Sequence, residues 1–204
     1  MNRSTAGRFA TPDDFPAMTE TLTRAFADDP VWGGWAFPDR ERAAQHRSVF
    51  LGGWLKMSLR YHWVRVTERC EAVASWFPPG TGENSPDDQN ELVRLAKEHL
   101  GDHAPVFLAG CEVIETSRPK GPPHYYLSVL GTHDAHRGKG LGAALLRDSL
   151  ALVDSERMPA YLESTNARNR PMYERLGFRK IGEFRLPAGP SLEMMWRDPL
   201  GRAG

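Results

Sequence analysis

The chain has 204 residues, 26 basic and 26 acidic, and no formal net charge. That length suits one domain with a sizeable core, and the even charge argues against a general electrostatic partner such as nucleic acid or an anionic membrane. No apolar run approaches the roughly 18 residues of a membrane span. The start of the chain lacks an apolar signal core. Two distant cysteines and seven histidines without ligand spacing point to no disulfide framework and no metal site, so a cytoplasmic setting is expected.

Residues 1–7 are polar and are expected to be disordered. Arg8 to Ala10 read as a short strand. Thr11, Pro12, Asp13 and Asp14 form a helix start, with a hydroxyl cap, proline at the first position and acids in the first turn. Phe15, Met18, Leu22 and Phe26 recur at helical spacing, which predicts a helix to about Ala27. Asp28, Asp29 and Pro30 break it, and a loop carrying Trp32, Trp35 and Phe37 is expected next. Asp39 opens a second helix reaching about Leu59. His62 to Val66 and Cys70 to Phe77 read as a hairpin, with Trp76 near its end. Residues 80–123 read as a variable helical insertion, with helices at about 88–100 and 105–117. The last part alternates: strand from Tyr125 to Thr132, helix from Gly138 to about Ser155, strand from Ala160 to Ser164, and helix to Leu176. Two closing strands follow, Phe178 to Leu186 and Leu192 to Arg197.

Two motifs carry chemistry. The first is the run His136, Arg137, Gly138, Lys139, Gly140, Leu141, Gly142, Ala143, a glycine-rich turn between a strand and an apolar helix. A helix N-terminus presents unpaired N–H groups and partial positive charge, so it is a seat for phosphate. The spacing is not that of a nucleotide P-loop, because no Ser or Thr follows the lysine. It is not G-x-G-x-x-G either, because residue 143 is Ala. The second motif runs from Asn166 through Asn169, Pro171 and Tyr173 to Gly177 and Phe178. It is a short helix with proline in its first turn and glycine at its end.

Arg137, Gly140 and Gly142 resemble the acetyl-coenzyme A motif of the GNAT N-acetyltransferases. The Asn166 to Phe178 segment resembles the other half of that family's cofactor site. Residues 9–30, 124–147 and 159–197 look closest to puromycin N-acetyltransferase-like members; 31–62 and 80–123 do not match. The resemblance implies a single α/β (α+β) domain over residues 1–204. Its central mixed sheet would be mostly antiparallel, with helices on both faces and a splayed parallel strand pair forming the cofactor cleft. It implies transfer of an acetyl group from acetyl-CoA to a primary amine of a small molecule by direct attack on the thioester. A protein or peptide N-acetyltransferase and a non-catalytic coenzyme A sensor are the alternatives. The protein would be a monomer or homodimer.

Site residues follow from the same resemblance. Leu130, Gly131 and Thr132 would pair with the pantetheine arm, and Gly138 to Ala143 with Arg137 would hold the pyrophosphate. Asn166 or Asn169 would contact the arm. An amine with a pKa near 10 must lose a proton before attack, which takes about 4 kcal/mol at pH 7. Glu163 is the first candidate base and His133 the second; a partner for Glu163 could be Arg168 or Arg170. Tyr173 would protonate the leaving thiolate. Trp32, Trp35, Phe37 and Trp76 are expected to wall an acceptor site for an apolar or aromatic amine.

Overall fold

The computed structural model describes residues 7–81 and 85–200. The expected disorder of residues 1–7 therefore concerns residues that, Gly7 apart, lie outside the described ones. Among the described residues, seven strands form one sheet in the order β1-β2-β3-β4-β5-β7-β6. They are β1 (Arg8–Phe9), β2 (Val64–Val66), β3 (Ala72–Phe77), β4 (Tyr125–Thr132), β5 (Ala160–Ser164), β6 (Arg179–Arg185) and β7 (Ser191–Arg197). Every neighbouring pair is antiparallel except β4 and β5, which run parallel.

Helices cover both faces because β3 is buried on both. Ala72, Ala74 and Trp76 point one way, into a core with Leu145, Leu146 and Leu150 of α5 (Leu141–Ser155) and Tyr173 of α6 (Arg170–Arg175). Val73 points the other way, toward Met18 and Leu22 of α1 (Phe15–Ala25) and Leu51 and Leu55 of α2 (Ala43–Leu59). This is the period-two alternation of a strand covered on both sides. Gly131 permits the close approach of α1 to β4: a Cβ there would lie 2.8 Å from Leu22 Cδ2 and 2.9 Å from the Ala25 Cβ.

The insertion folds as two helices, α3 (Pro86–Leu100) and α4 (Ala104–Ser117). Ser85 caps α3 by accepting from the Asp88 N–H at 3.2 Å, and Asp88 reaches back to the Ser85 N–H at the same distance. With α2, these helices enclose a third apolar cluster around Phe37, Phe50 and Phe107. The segment read as a loop, Pro30–Trp35, is instead a π-helical turn. Asp29 caps it, and Gly33 lets it fold back against the Ala27 carbonyl. No helix among the described residues is long and apolar enough to cross a membrane.

Candidate active site

The site begins as a defect in the sheet. Ser75 pairs with Val129 while Trp76 pairs with Leu127, so Ser128 is an extra residue in β4. Such a bulge bends and twists its strand. At the same point the parallel ladder to β5 stops, its last pair being Leu127 with Leu162. Beyond it the strands part, and two cavities open on either side of the gap.

One cavity is built around the glycine-rich turn. Its wall runs from Leu130 to Thr132, resumes from His136 to Gly138, and continues from Gly140 to Ala143; Asn166, Asn169 and Tyr173 also line it. Gly138 and Gly140 have φ of +78° and +74°, the left-handed region that favours glycine. No atom lies within 4 Å of a Cβ built on either, so the first amides of α5 are open to a ligand. Gly140 stands at the helix N-cap without a side-chain acceptor for those amides. Arg137 crosses the cleft, donating to the Asp28 carboxylate at 3.0 Å and the Ala25 carbonyl at 2.9 Å. Lys139 is not part of the wall; its Nζ lies 3.3 Å from His136 Nδ1. The two asparagines differ: Asn166 Oδ1 accepts from the Arg168 N–H at 3.1 Å, whereas Asn169 makes no side-chain cap to α6. Tyr173 is buried, and burial, with a smaller effect from the Asp29 charge, pushes its hydroxyl well above the ordinary tyrosine value.

The second cavity faces the gap from the side of α2 and α4. Trp32, Trp54, Tyr126 and Ile114 make it largely apolar, and Glu115, Arg118 and Glu163 add charge. Arg118 Nε is 3.6 Å from Glu163 Oε1, so the partner of this carboxylate is Arg118 rather than Arg168 or Arg170. The same guanidinium stacks over the Tyr126 ring at 4.0 Å and donates to its hydroxyl at 3.1 Å. Glu163 also lies beside Tyr161, whose hydroxyl is pushed up by burial first and by the Glu163 charge second.

Asp29 joins the two cavities. Its Oδ1 accepts from the Val31 and Trp32 N–H groups at 2.9 and 3.0 Å, and its Oδ2 accepts from the Thr165 hydroxyl at 2.6 Å. It is 8% exposed, and burial raises its carboxyl pKa despite those three donors. Asp29 lines one cavity and Thr165 the other.

Sequence reasoning missed Asp29, Thr165, Trp54 and Arg118. Asp29 carried a signal, since an acid before proline is a cap as well as a break. Arg118 follows the end of α4 in an irregular segment, where no periodicity could have singled it out.

Three aromatic expectations need correction. Trp76 is completely buried in the α5 core, because the inward face of a strand covered on both sides has no route to solvent. Phe37 packs against Phe50 and Phe107 in the insertion core. Trp35 wedges between α4 and the β6–β7 turn: a Cβ on Gly110 or Gly189 would overlap its ring, and its Nε1 donates to the Pro187 carbonyl at 2.8 Å. Of the four, only Trp32 lines the second cavity. His133 lines neither; its Nδ1 sits 3.0 Å from Asp134 Oδ1 in the turn after β4.

The family model described as Acetyltransferase (GNAT) family matches residues 70–178. An uncharacterised N-acetyltransferase of Schizosaccharomyces pombe is 25% identical, the match covering 91% of this chain and 80% of that protein. A mycothiol acetyltransferase of Acidothermus cellulolyticus is 27% identical; the match covers 83% of this chain and 42% of that protein, so this chain corresponds to less than half of it. A solved structure from Corynebacterium glutamicum, described as histone acetyltransferase HPA2 and related acetyltransferase, is 25% identical with a TM-score of 0.65, and 98% of each chain is covered.

Proposed function

The chain belongs to the GNAT acetyltransferase family, and from that premise we propose that it acetylates the primary amine of a small, largely apolar molecule by direct attack of the amine on acetyl-CoA. The observation that carries this reading is the meeting of the two cavities at the β4–β5 gap. One is a glycine-lined seat for phosphate, and the other an aromatic-lined chamber with carboxylates. A cytoplasmic location belongs to the same proposal.

The residues present fit the donor. When bound, acetyl-CoA supplies an acetyl thioester. Backbone groups of Leu130 to Thr132, beyond the last β4–β5 pair, would receive an extended arm. The amides from Gly138 to Ala143 would hold the pyrophosphate with Arg137, and Lys139 would add charge at the mouth. Asn169, rather than Asn166, would contact the arm, because the Asn166 oxygen is occupied by its own turn.

On the acceptor side Trp32, Trp54 and Tyr126 would enclose the apolar body, with Glu115 and Glu163 drawing the ammonium inward. Glu163 accepts the ammonium proton, directly or through a water, and Arg118 beside it holds that carboxylate in place. Asp29 is the second reading for the base, favoured by the burial that makes it more basic than an ordinary aspartate. Tyr173 donates to the departing thiolate, its hydroxyl held in the protonated form by burial.

The pieces resembling the puromycin N-acetyltransferase-like branch frame the cofactor cleft. The α4 helix and Arg118, which wall the acceptor chamber, lie outside them. Kinship to that branch is thus a proposal about the scaffold and leaves the acceptor to this chain's own residues.

A thiol-release screen tests the reading, using acetyl-CoA with arylalkylamines, puromycin, aminoglycosides, polyamines and short peptides. Turnover with apolar monoamines supports it. Turnover only with basic peptides would favour a protein acetyltransferase, and none with any amine would favour a coenzyme A sensor.

A further inference from the structure

A separate depression beside the Pro30–Trp35 turn is lined by Ala27, Gly33, Gly34, Phe37, Arg40 and Arg47. Its described lining holds two arginines and no acid. Arg47 projects from α2 and is only 7% exposed. A guanidinium carries five N–H donors. Among the described residues Arg47 has one hydrogen bond, from Nε to the Thr23 carbonyl at 3.1 Å, and no carboxylate within ion-pair distance. The nearest acid, Asp28, has an 81% exposed side chain and holds Arg137 instead. Burial accordingly holds the Arg47 guanidinium below its ordinary value. A buried cation is expected to be paired; here Arg47 lines the cavity with one hydrogen bond and no acid beside it, and Arg40 adds a second charge to the same lining. Gly34 adds no bulk to the lining, and nothing lies within 4 Å of a Cβ built there.

We propose that this pocket binds a small oxyanion, a phosphate or carboxylate group, through Arg40 and Arg47. Arginine's planar fork suits such groups better than a point charge does. The site is not the glycine seat: the two cavities share no lining residue, Ala27 lining this one while the neighbouring Asp28 lines the other and holds Arg137. The oxyanion could arrive free in solution or, if the donor binds as proposed above, as the 3′-phosphate of coenzyme A.

The experiment titrates inorganic phosphate against sodium chloride at matched ionic strength, reading melting temperature and calorimetric affinity. Matching removes simple screening. Wild type, Gly140→Asp, Arg40→Ala and Arg47→Lys are compared; Arg40→Ala alters an exposed side chain and so keeps the test alive if Arg47→Lys fails to fold. A parallel arm compares coenzyme A with dephospho-coenzyme A. A phosphate response that survives Gly140→Asp and weakens about tenfold or more in Arg40→Ala supports a free-anion site. A preference for coenzyme A over the dephospho form that disappears in Arg40→Ala supports the same pocket filled by the cofactor. The proposal is overturned if Arg40→Ala and every folded Arg47 variant bind phosphate and both cofactor forms as wild type does, or if Gly140→Asp abolishes the phosphate response and the arginine variants leave the cofactor preference intact.

Discussion

Replacing Asp29 by alanine removes one carboxylate from the point where the two cavities meet. The change strands the Val31 and Trp32 N–H groups at the start of the Pro30–Trp35 turn and takes the acceptor from the Thr165 hydroxyl. Loss of a cap costs about 1 kcal/mol, and a buried donor left without a partner adds about 1–3 kcal/mol. Together these come to about 2–4 kcal/mol, and relief of the carboxylate's own burial offsets part of it, so the net loss should be about 1–3 kcal/mol. At this chain length each kcal/mol lowers the melting temperature by roughly 2–4 °C, which places Asp29→Ala about 2–12 °C below wild type. Asparagine keeps an oxygen for the backbone donors and should lose much less. The pH dependence has a definite sign. Burial raises the folded-state pKa of Asp29, so its ionisation opposes folding above the unfolded value, and that penalty disappears as pH falls through the folded value. Wild type should therefore gain stability relative to Asp29→Asn on acidification. Calorimetric melts from pH 7 down to pH 5 read both effects. An alanine variant as stable as wild type, or a wild type that loses ground to Asp29→Asn on acidification, would refute the assignment of Asp29 as a buried structural acceptor.

Gly140→Asp should abolish calorimetric binding of acetyl-CoA while leaving the fold intact, because aspartate tolerates φ near +74° but sets a negative charge on the phosphate seat. Tyr173→Phe should lower turnover by about one to two powers of ten with cofactor affinity nearly unchanged. In wild type, turnover should not decline as pH rises through 10, since the raised pKa keeps the Tyr173 hydroxyl protonated there; a decline centred on the ordinary tyrosine value would remove it as the proton donor. Trp32→Ala should raise the KM for the amine. Trp76→Ala should instead destabilise the protein by about 3–5 kcal/mol, seen as a melting shift, and a selective KM effect from Trp76→Ala would contradict its place in the core.

What the sequence made legible was local. The helix start at Thr11 and Pro12, the strand from Tyr125 to Thr132, and the glycine turn before α5 were read correctly in kind, although the Thr11 hydroxyl donates to Asp14 instead of accepting from the helix, and the largest helix-boundary errors were a few residues. Each depends on neighbours in the chain, which is where propensity and periodicity act. The bulge at Ser128 was not legible, because it is a mismatch between two strands and leaves no mark in either one alone. The aromatics show the same limit. Trp32, Trp35 and Phe37 lie within six positions on one short segment, yet only Trp32 lines the acceptor chamber, while Trp35 and Phe37 pack against the insertion core. What separates them is Gly110, Gly189 and Phe107, all distant in sequence. Arg118, the charged partner of Glu163, comes from the segment that resembled nothing, so the acceptor chamber was the least readable part of the site.

The most direct measurement is a crystal structure of the protein with coenzyme A and an amine that supports turnover. The predicted result has the pyrophosphate on the amides of Gly138 to Ala143, the sulfur in the β4–β5 gap between Val129 and Thr165, and the amine in the chamber of Trp32, Trp54 and Tyr126 with its nitrogen toward Glu163. Coenzyme A lying elsewhere, or an amine bound outside that chamber with its nitrogen away from the sulfur, would contradict transfer through the junction of the two cavities.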